Sequence, residues 1–101
     1  MSDPFFSLAV RRSDTGTVVS VAGELDVATA PALADALAAA AADGDVTVDL
    51  CSTTFADPST LGVLLGARAE CRTMRVERRT GGAVARLLAL TGTDTLFRSR
   101  V

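Results

Sequence analysis

Between Ala30 and Ala42 an alanine-rich stretch carries Leu33, Ala36, Leu37 and Ala40 at three- and four-residue spacing. Across Asp43-Gly44-Asp45 it gives way to Val46-Thr47-Val48-Asp49-Leu50, where apolar and polar residues alternate. A period near 3.6 followed by a period of two marks a helix that delivers the chain into a half-buried strand. The glycine between them is free to take positive φ and so to stop the helix. Helix into strand is the second half of a crossover unit, and it constrains the rest of the chain to an α/β arrangement.

The flanking segments supply the other parts. Phe5, Phe6, Leu8 and Val10 lead through Arg11-Arg12 to the turn residues Ser13-Asp14-Thr15-Gly16, and Thr17 to Ala22 reads as a second strand rich in β-branched residues, a hairpin signal. Gly23-Glu24-Leu25-Asp26 reads as a loop, and Thr29 as the N-cap of the alanine-rich helix, with Pro31 in its first turn. Asp57 is the natural N-cap of a second helix, with Pro58 at its first position and Leu61, Val63, Leu64, Leu65 and Ala69 running to about Cys71. Met74, Val76 and Glu77-Arg78-Arg79 suggest a fourth strand, Val84, Leu87 and Leu88 a third helix ending at Gly92, and Asp94 to Phe97 one more turn. The expected product is one α/β domain over residues 1–101 with right-handed crossovers.

Composition narrows the chemistry. With 101 residues, 49% of them hydrophobic, the chain fills a single core. Histidine is absent, as are Trp, Tyr and Lys, which removes the commonest general base and the commonest metal ligand. No close pair among the remaining reactive types stands out, so the expectation is a binding protein, neither an enzyme nor a holder of cofactor or metal. No run of about 18 apolar residues is present, and Met1-Ser2-Asp3-Pro4 lacks the basic and apolar regions of a secretory signal, which points to the cytoplasm and against membrane insertion.

Residues 1–57 hold nine acidic residues and two arginines, residues 58–101 three and eight, so the halves stand near −7 and +5 in a chain of net charge −2. In one folded domain the two halves interleave into a mixed surface, and four aromatics, all Phe, offer no stacking platform for nucleic acid. Cys51 and Cys71, twenty apart and in no CxxC pair, read as reduced, mostly buried small hydrophobes.

Three segments in order carry a family resemblance: Gly23-Glu24-Leu25-Asp26, then Val46-Thr47-Val48-Asp49-Leu50, then Phe55-Ala56-Asp57-Pro58-Ser59-Thr60-Leu61-Gly62-Val63-Leu64-Leu65. A fourth, Leu87-Leu88-Ala89-Leu90-Thr91-Gly92 before Leu96-Phe97, fits the closing helix. Together they resemble the STAS domain family, which includes the bacterial anti-sigma factor antagonists, over roughly residues 5 to 98. The resemblance implies a mixed β-sheet of four to five strands with helices packed largely on one face. It also implies a monomer or weak homodimer that binds an anti-sigma factor with a serine-protein-kinase-like fold and thereby frees the sigma factor. Related STAS domains are subunits regulating transport ATPases for lipids or solutes, which is the alternative role.

In the family the strand-to-helix turn reads Asp-Ser-Ser-Gly, and the partner phosphorylates the first serine to stop binding. Here Pro58 stands at that position, preserving the helix start but offering no hydroxyl. Ser59 takes the place of the second serine and Thr60 that of the glycine, so these two are the phosphorylation candidates. A phosphate there would meet the unpaired N–H groups at the positive end of the helix. Either the switch has moved to Ser59 or Thr60, or binding persists without one. The partner-binding residues implied are Glu24, Asp26, Asp57, Pro58, Ser59, Thr60, Leu61 and Gly62; loop solubility and N-capping also account for Asp26 and Asp57. Gly62 and Gly66 read as close packing of the helix on the sheet, and Arg68, Arg72 and Arg75 as a solvated face or a partner-facing stripe.

Overall fold

The computed structural model describes residues 5–97, so the terminal Met1-Ser2-Asp3-Pro4 reading lies outside the described residues. Two strands, β1 (Phe6–Ser13) and β2 (Gly16–Leu25), form the expected hairpin, with Val10 opposite Val19 and Ser13 opposite Gly16. Helix α1 (Ala30–Ala41) then leads to β3 (Asp45–Ala56), α2 (Pro58–Arg68) to β4 (Thr73–Glu77), and α3 (Ala83–Thr91) to a 3-10 turn over Asp94–Leu96. The strands lie side by side in chain order; β1 and β2 are antiparallel, whereas β2 with β3 and β3 with β4 are parallel. The sheet is therefore mixed and four-stranded.

Alternation decides which face is covered. Val19 and Val21 of β2, Val46, Val48 and Leu50 of β3 and Val76 of β4 are buried, and they form one cluster with Leu33 and Leu37 of α1, Leu64 of α2, and Val84 and Leu88 of α3. Residues of opposite parity, such as Val18, Ser20, Thr47, Asp49 and Arg75, stay partly exposed. All three helices thus share one face of the sheet, because a half-apolar sheet and apolar helical stripes bury most area when stacked. Arg78 closes the far end: its guanidinium donates to the carbonyls of Val76 at 2.8 Å and Phe97 at 2.9 Å, pinning the buried Phe97.

Four local readings change. The segment from Gly23 to Leu25, expected as a loop, is the end of β2, and Leu25 is fully buried. Likewise β3 runs on from Leu50 to Ala56. Its alternation is hidden because β3 carries one extra residue against β2 between Asp49 and Ser52 and another between Thr53 and Phe55, so the next buried position after Leu50 is Thr53. Gly23 sits at φ 98° with Phe5 crossing so close that a β-carbon would lie 1.9 Å from its carbonyl oxygen; only glycine fits there. Helix α2 ends at Arg68, short of Cys71, because the chain turns so that the Arg72 and Thr73 amides reach the carbonyl of Gly44 at 2.9 and 3.3 Å.

The α1 cap is also different. Thr29 has helical backbone angles and makes no side-chain cap bond. Asp26 does that work: its Oδ1 accepts from the amides of Ala28 at 2.9 Å and Thr29 at 3.1 Å. The buried Thr29 hydroxyl instead donates to the Glu24 carbonyl at 2.9 Å and accepts from the Asp26 amide at 2.9 Å, stitching the strand end to the helix start.

Candidate functional site

Parallel pairing of β2 and β3 places Glu24 opposite Phe55 and Leu25 opposite Ala56, so both strands end at the same edge and both following helices start there. The Leu25 carbonyl accepts the Asp57 amide at 3.0 Å and joins the two junctions directly. Asp26 and Asp57, distant in sequence, thus stand at neighbouring strand ends.

At the second junction Asp57 has extended backbone angles, and its Oδ1 accepts from the Ser59 amide at 2.9 Å, as expected of an N-cap followed by proline. The Ser59 hydroxyl also donates to the same carboxylate oxygen. Pro58 and Gly62 are exposed, and Asp57, Ser59 and Leu61 partly so. Thr60 departs from expectation. It is completely buried, because the third helical position faces inward onto the core, and its hydroxyl has no partner among the described residues. Of the two residues of the turn named as phosphate acceptors, only Ser59 is partly exposed.

The outer face of α2 is nearly bare. Pro58, Gly62, Leu65 and Gly66 follow one another at helical spacing, all exposed, and a β-carbon at Gly62 or Gly66 would meet nothing within 4 Å. The expected packing of these glycines against the sheet is therefore not what they do; they face outward, and the inward contacts come from Thr60 and Leu64. Two exposed apolar side chains flank the junctions, Val27 at 77% and Phe55 at 49% exposure, and Leu65 at 38% stands further along α2; the sequence did not single them out as surface groups. Phe55 was obscured by the extra β3 residue just before it, which breaks the parity of the strand. Val27 carries no signal beyond its place beside Asp26.

Other expectations resolve simply. Cys51 and Cys71 are free but partly exposed rather than mostly buried. Desolvation raises both thiols above their ordinary pKa, with Asp49 adding to the effect at Cys51 and Glu70 at Cys71, so neither is poised as a nucleophile. Arg68, Arg72 and Arg75 lie on three different pieces of chain, α2, the loop after it and β4.

A two-junction edge on a mixed sheet backed by three helices defines the class. The chain belongs to the STAS domain family, whose profile, described as "Mlab, STAS domain", matches residues 8–98. Within that class it is similar to the crystal structure of an anti-sigma factor antagonist from Mycobacterium paratuberculosis, at 33% identity and TM-score 0.85, covering 98% of this chain and 89% of that one. It shares its fold with the Bacillus cell fate determinant SpoIIAA in the phosphorylated form, at 14% identity and TM-score 0.72 over 94% of this chain and 92% of that one. The antisigma-factor antagonist STAS domain from Rhodobacter sphaeroides has the same fold at 20% identity and TM-score 0.58, over 81% and 95%. No curated protein matches the chain. Among the described residues no helix is long and apolar enough to cross a membrane.

Proposed function

We propose that the chain is a cytoplasmic anti-sigma factor antagonist, a regulatory protein without catalysis of its own, which binds a kinase-like anti-sigma factor and frees the sigma factor. The observation that carries this reading is the 33% identity to an anti-sigma factor antagonist across 98% of the chain. The local geometry suits docking. Glu24, Asp26, Asp57, Pro58, Ser59, Leu61 and Gly62 form the contact region, and Val27, Phe55 and Leu65 supply apolar anchors around it. A helix face of proline and glycine lets a partner backbone come close, while exposed apolar groups gain on being covered. Thr60 contributes from inside, by packing.

The binding is proposed to lack the family's switch at the first helical position, since Pro58 has no hydroxyl. The Ser59 hydroxyl is held by Asp57, and adding a phosphate there would set two negative groups side by side.

Capture of the cognate anti-sigma factor tests the reading. Asp57→Arg is expected to abolish capture, and Phe55→Ser, at an exposed site outside the core, to weaken it at least tenfold while the melting curve stays unchanged. Recovery of a transport ATPase in place of an anti-sigma factor would overturn the assignment. Incubation with the partner kinase and ATP is expected to leave the mass of the protein unchanged; a phosphate on Ser59 would restore the switch.

A further inference from the structure

The two lateral edges of the sheet are finished differently. β4 is five residues long, carries Arg75 and Glu77, and its Val76 carbonyl already accepts from the Arg78 guanidinium at 2.8 Å. Short length, charge and covered backbone groups are the usual protections of an edge against pairing with another chain. β1 is eight residues long and pairs with β2 in unbroken register, and from Phe6 to Val10 it carries no charge, proline or extra residue. Arg11 and Arg12 come only after that stretch.

The register shows what the open edge offers. The Glu24 amide donates to the Phe5 carbonyl at 2.7 Å, and in an antiparallel pair the residues that bond across alternate. Ser7 and Ala9 therefore bond to β2, and the N–H and C=O groups of Phe6, Leu8 and Val10 point away from the sheet, where no strand pairs with them among the described residues. Their side chains share one face. Leu8 stands opposite Val21 and Val10 opposite Val19, both core residues, so the three lie on the helix-covered side. Phe6 and Leu8 reach the core only in part, and Val10 is 48% exposed, because α1 packs over β2 and β3 and touches β1 least of the three. An unprotected edge and an incompletely covered apolar stripe thus coincide on one strand.

We propose that β1 pairs antiparallel with β1 of a second copy of this chain, joining two four-stranded sheets into one across a two-fold axis at Leu8. The occupant follows from the pattern of the strand, which reads the same in both directions: apolar, small, apolar, small, apolar over Phe6-Ser7-Leu8-Ala9-Val10. A two-fold interface requires such self-complementarity. With Leu8 opposite Leu8 of the second copy, Phe6 meets Val10 and Val10 meets Phe6, each pair bonded through the outward backbone groups, while Ser7 meets Ala9 on the other face. The arginines settle the register. Centring the pair on Arg11 would set like charges directly opposite, whereas at Leu8 both arginines of each copy lie beyond the paired stretch. A pairing this short falls below the roughly 1,200 Å² of a standard interface, so the dimer forms and parts with protein concentration. Pairing along β1 does not require an anti-sigma factor at the two-junction edge.

Sedimentation of the full chain over a concentration series is expected to show a reversible monomer–dimer equilibrium with a dissociation constant on the order of 100 μM. Amide hydrogen exchange reads the strand: at about 1 mM protein Phe6, Leu8 and Val10 should gain about fivefold protection, while Ser7 and Ala9, already bonded to β2, stay as they are. Val10→Lys, at an exposed position, should remove the dimer and leave dilute protein folded. Ala89→Lys, the same change of charge at an exposed position on α3, should leave the dimer intact. A chain that stays monomeric to about 1 mM, assembly past the dimer, or a dimer that leaves those three amides unprotected would overturn the pairing. So would protection of the three amides that comes only with a captured anti-sigma factor, which would assign the edge to that partner.

Discussion

The two strand-to-helix junctions use the same residue types and finish them differently. Each has an aspartate at the strand end whose Oδ1 accepts a backbone amide two residues on, and each has a buried threonine three residues after the aspartate, Thr29 and Thr60. At the first junction the threonine hydroxyl is enclosed in a network with the Glu24 carbonyl and the amide and carboxylate of Asp26. At the second the hydroxyl is equally buried and has no partner among the described residues, while the hydroxyl that bonds to the aspartate belongs to Ser59, one residue earlier and partly exposed. The first junction is a rigid support. The second keeps its polar group outward, where a partner can meet it, and carries an unpaired hydroxyl inside.

Exchanging threonine for the nearly isosteric valine should expose that difference as a change of sign. Thr29→Val removes the hydroxyl that the Glu24 carbonyl and the Asp26 amide bond to in part-buried surroundings, and losing both bonds costs about 2 kcal/mol. Thermal unfolding is expected to fall by about 10 °C in a domain of this size. Equal melting of variant and wild type would show that the network adds nothing to the first junction.

Thr60→Val removes a hydroxyl that pays desolvation for no bond, with nearly the same helix propensity. Stability is expected to rise by about 1 kcal/mol, seen as an increase of roughly 5 °C in the same measurement. Partner capture should be unaffected, because the side chain never reaches the surface. A loss of stability would mean that Thr60 does have a partner, and the contrast between the junctions would fail.

This contrast marks where the sequence stopped being legible. The order of elements, the Asp57 cap with Pro58 behind it, the Gly92 helix stop at φ 71° and the shared core face all follow from local periodicity and capping chemistry. The second half of β3 does not, because two extra residues against β2 shift parity, and parity is what betrays a strand. For the same reason Phe55 was not read as a surface anchor. Nor does local sequence reveal that Thr29 is a stitch and Asp26 the cap: both residue types cap helices, and the choice depends on the Glu24 carbonyl being held nearby by the end of β2. Burial of Thr60 is legible in the sequence, since it lies four residues before the apolar Leu64 on the same helix face, and the structure buries both.

The smallest effect extends the comparison to the other end of the sheet. Asp26 and Asp57 accept from amides and hydroxyls, whereas Asp45 accepts from a guanidinium as well, and the Arg72 hydrogen bonds, followed by that of Thr73, hold its carboxyl below the ordinary carboxylate range. A carboxyl with a depressed folded-state pKa contributes stability that is complete above its unfolded value and is lost as pH falls through the folded one. Wild type and Asp45→Asn should therefore differ most at neutral pH and converge as pH drops below about 4. The pair is exposed, with Arg72 at 75% and Asp45 at 39%, so the difference should be small and should shrink further in high salt. A gap that persists unchanged into acid would locate the contribution of Asp45 in the Thr73 bond alone, and this end of the sheet would then be built, like the junctions, on uncharged donors.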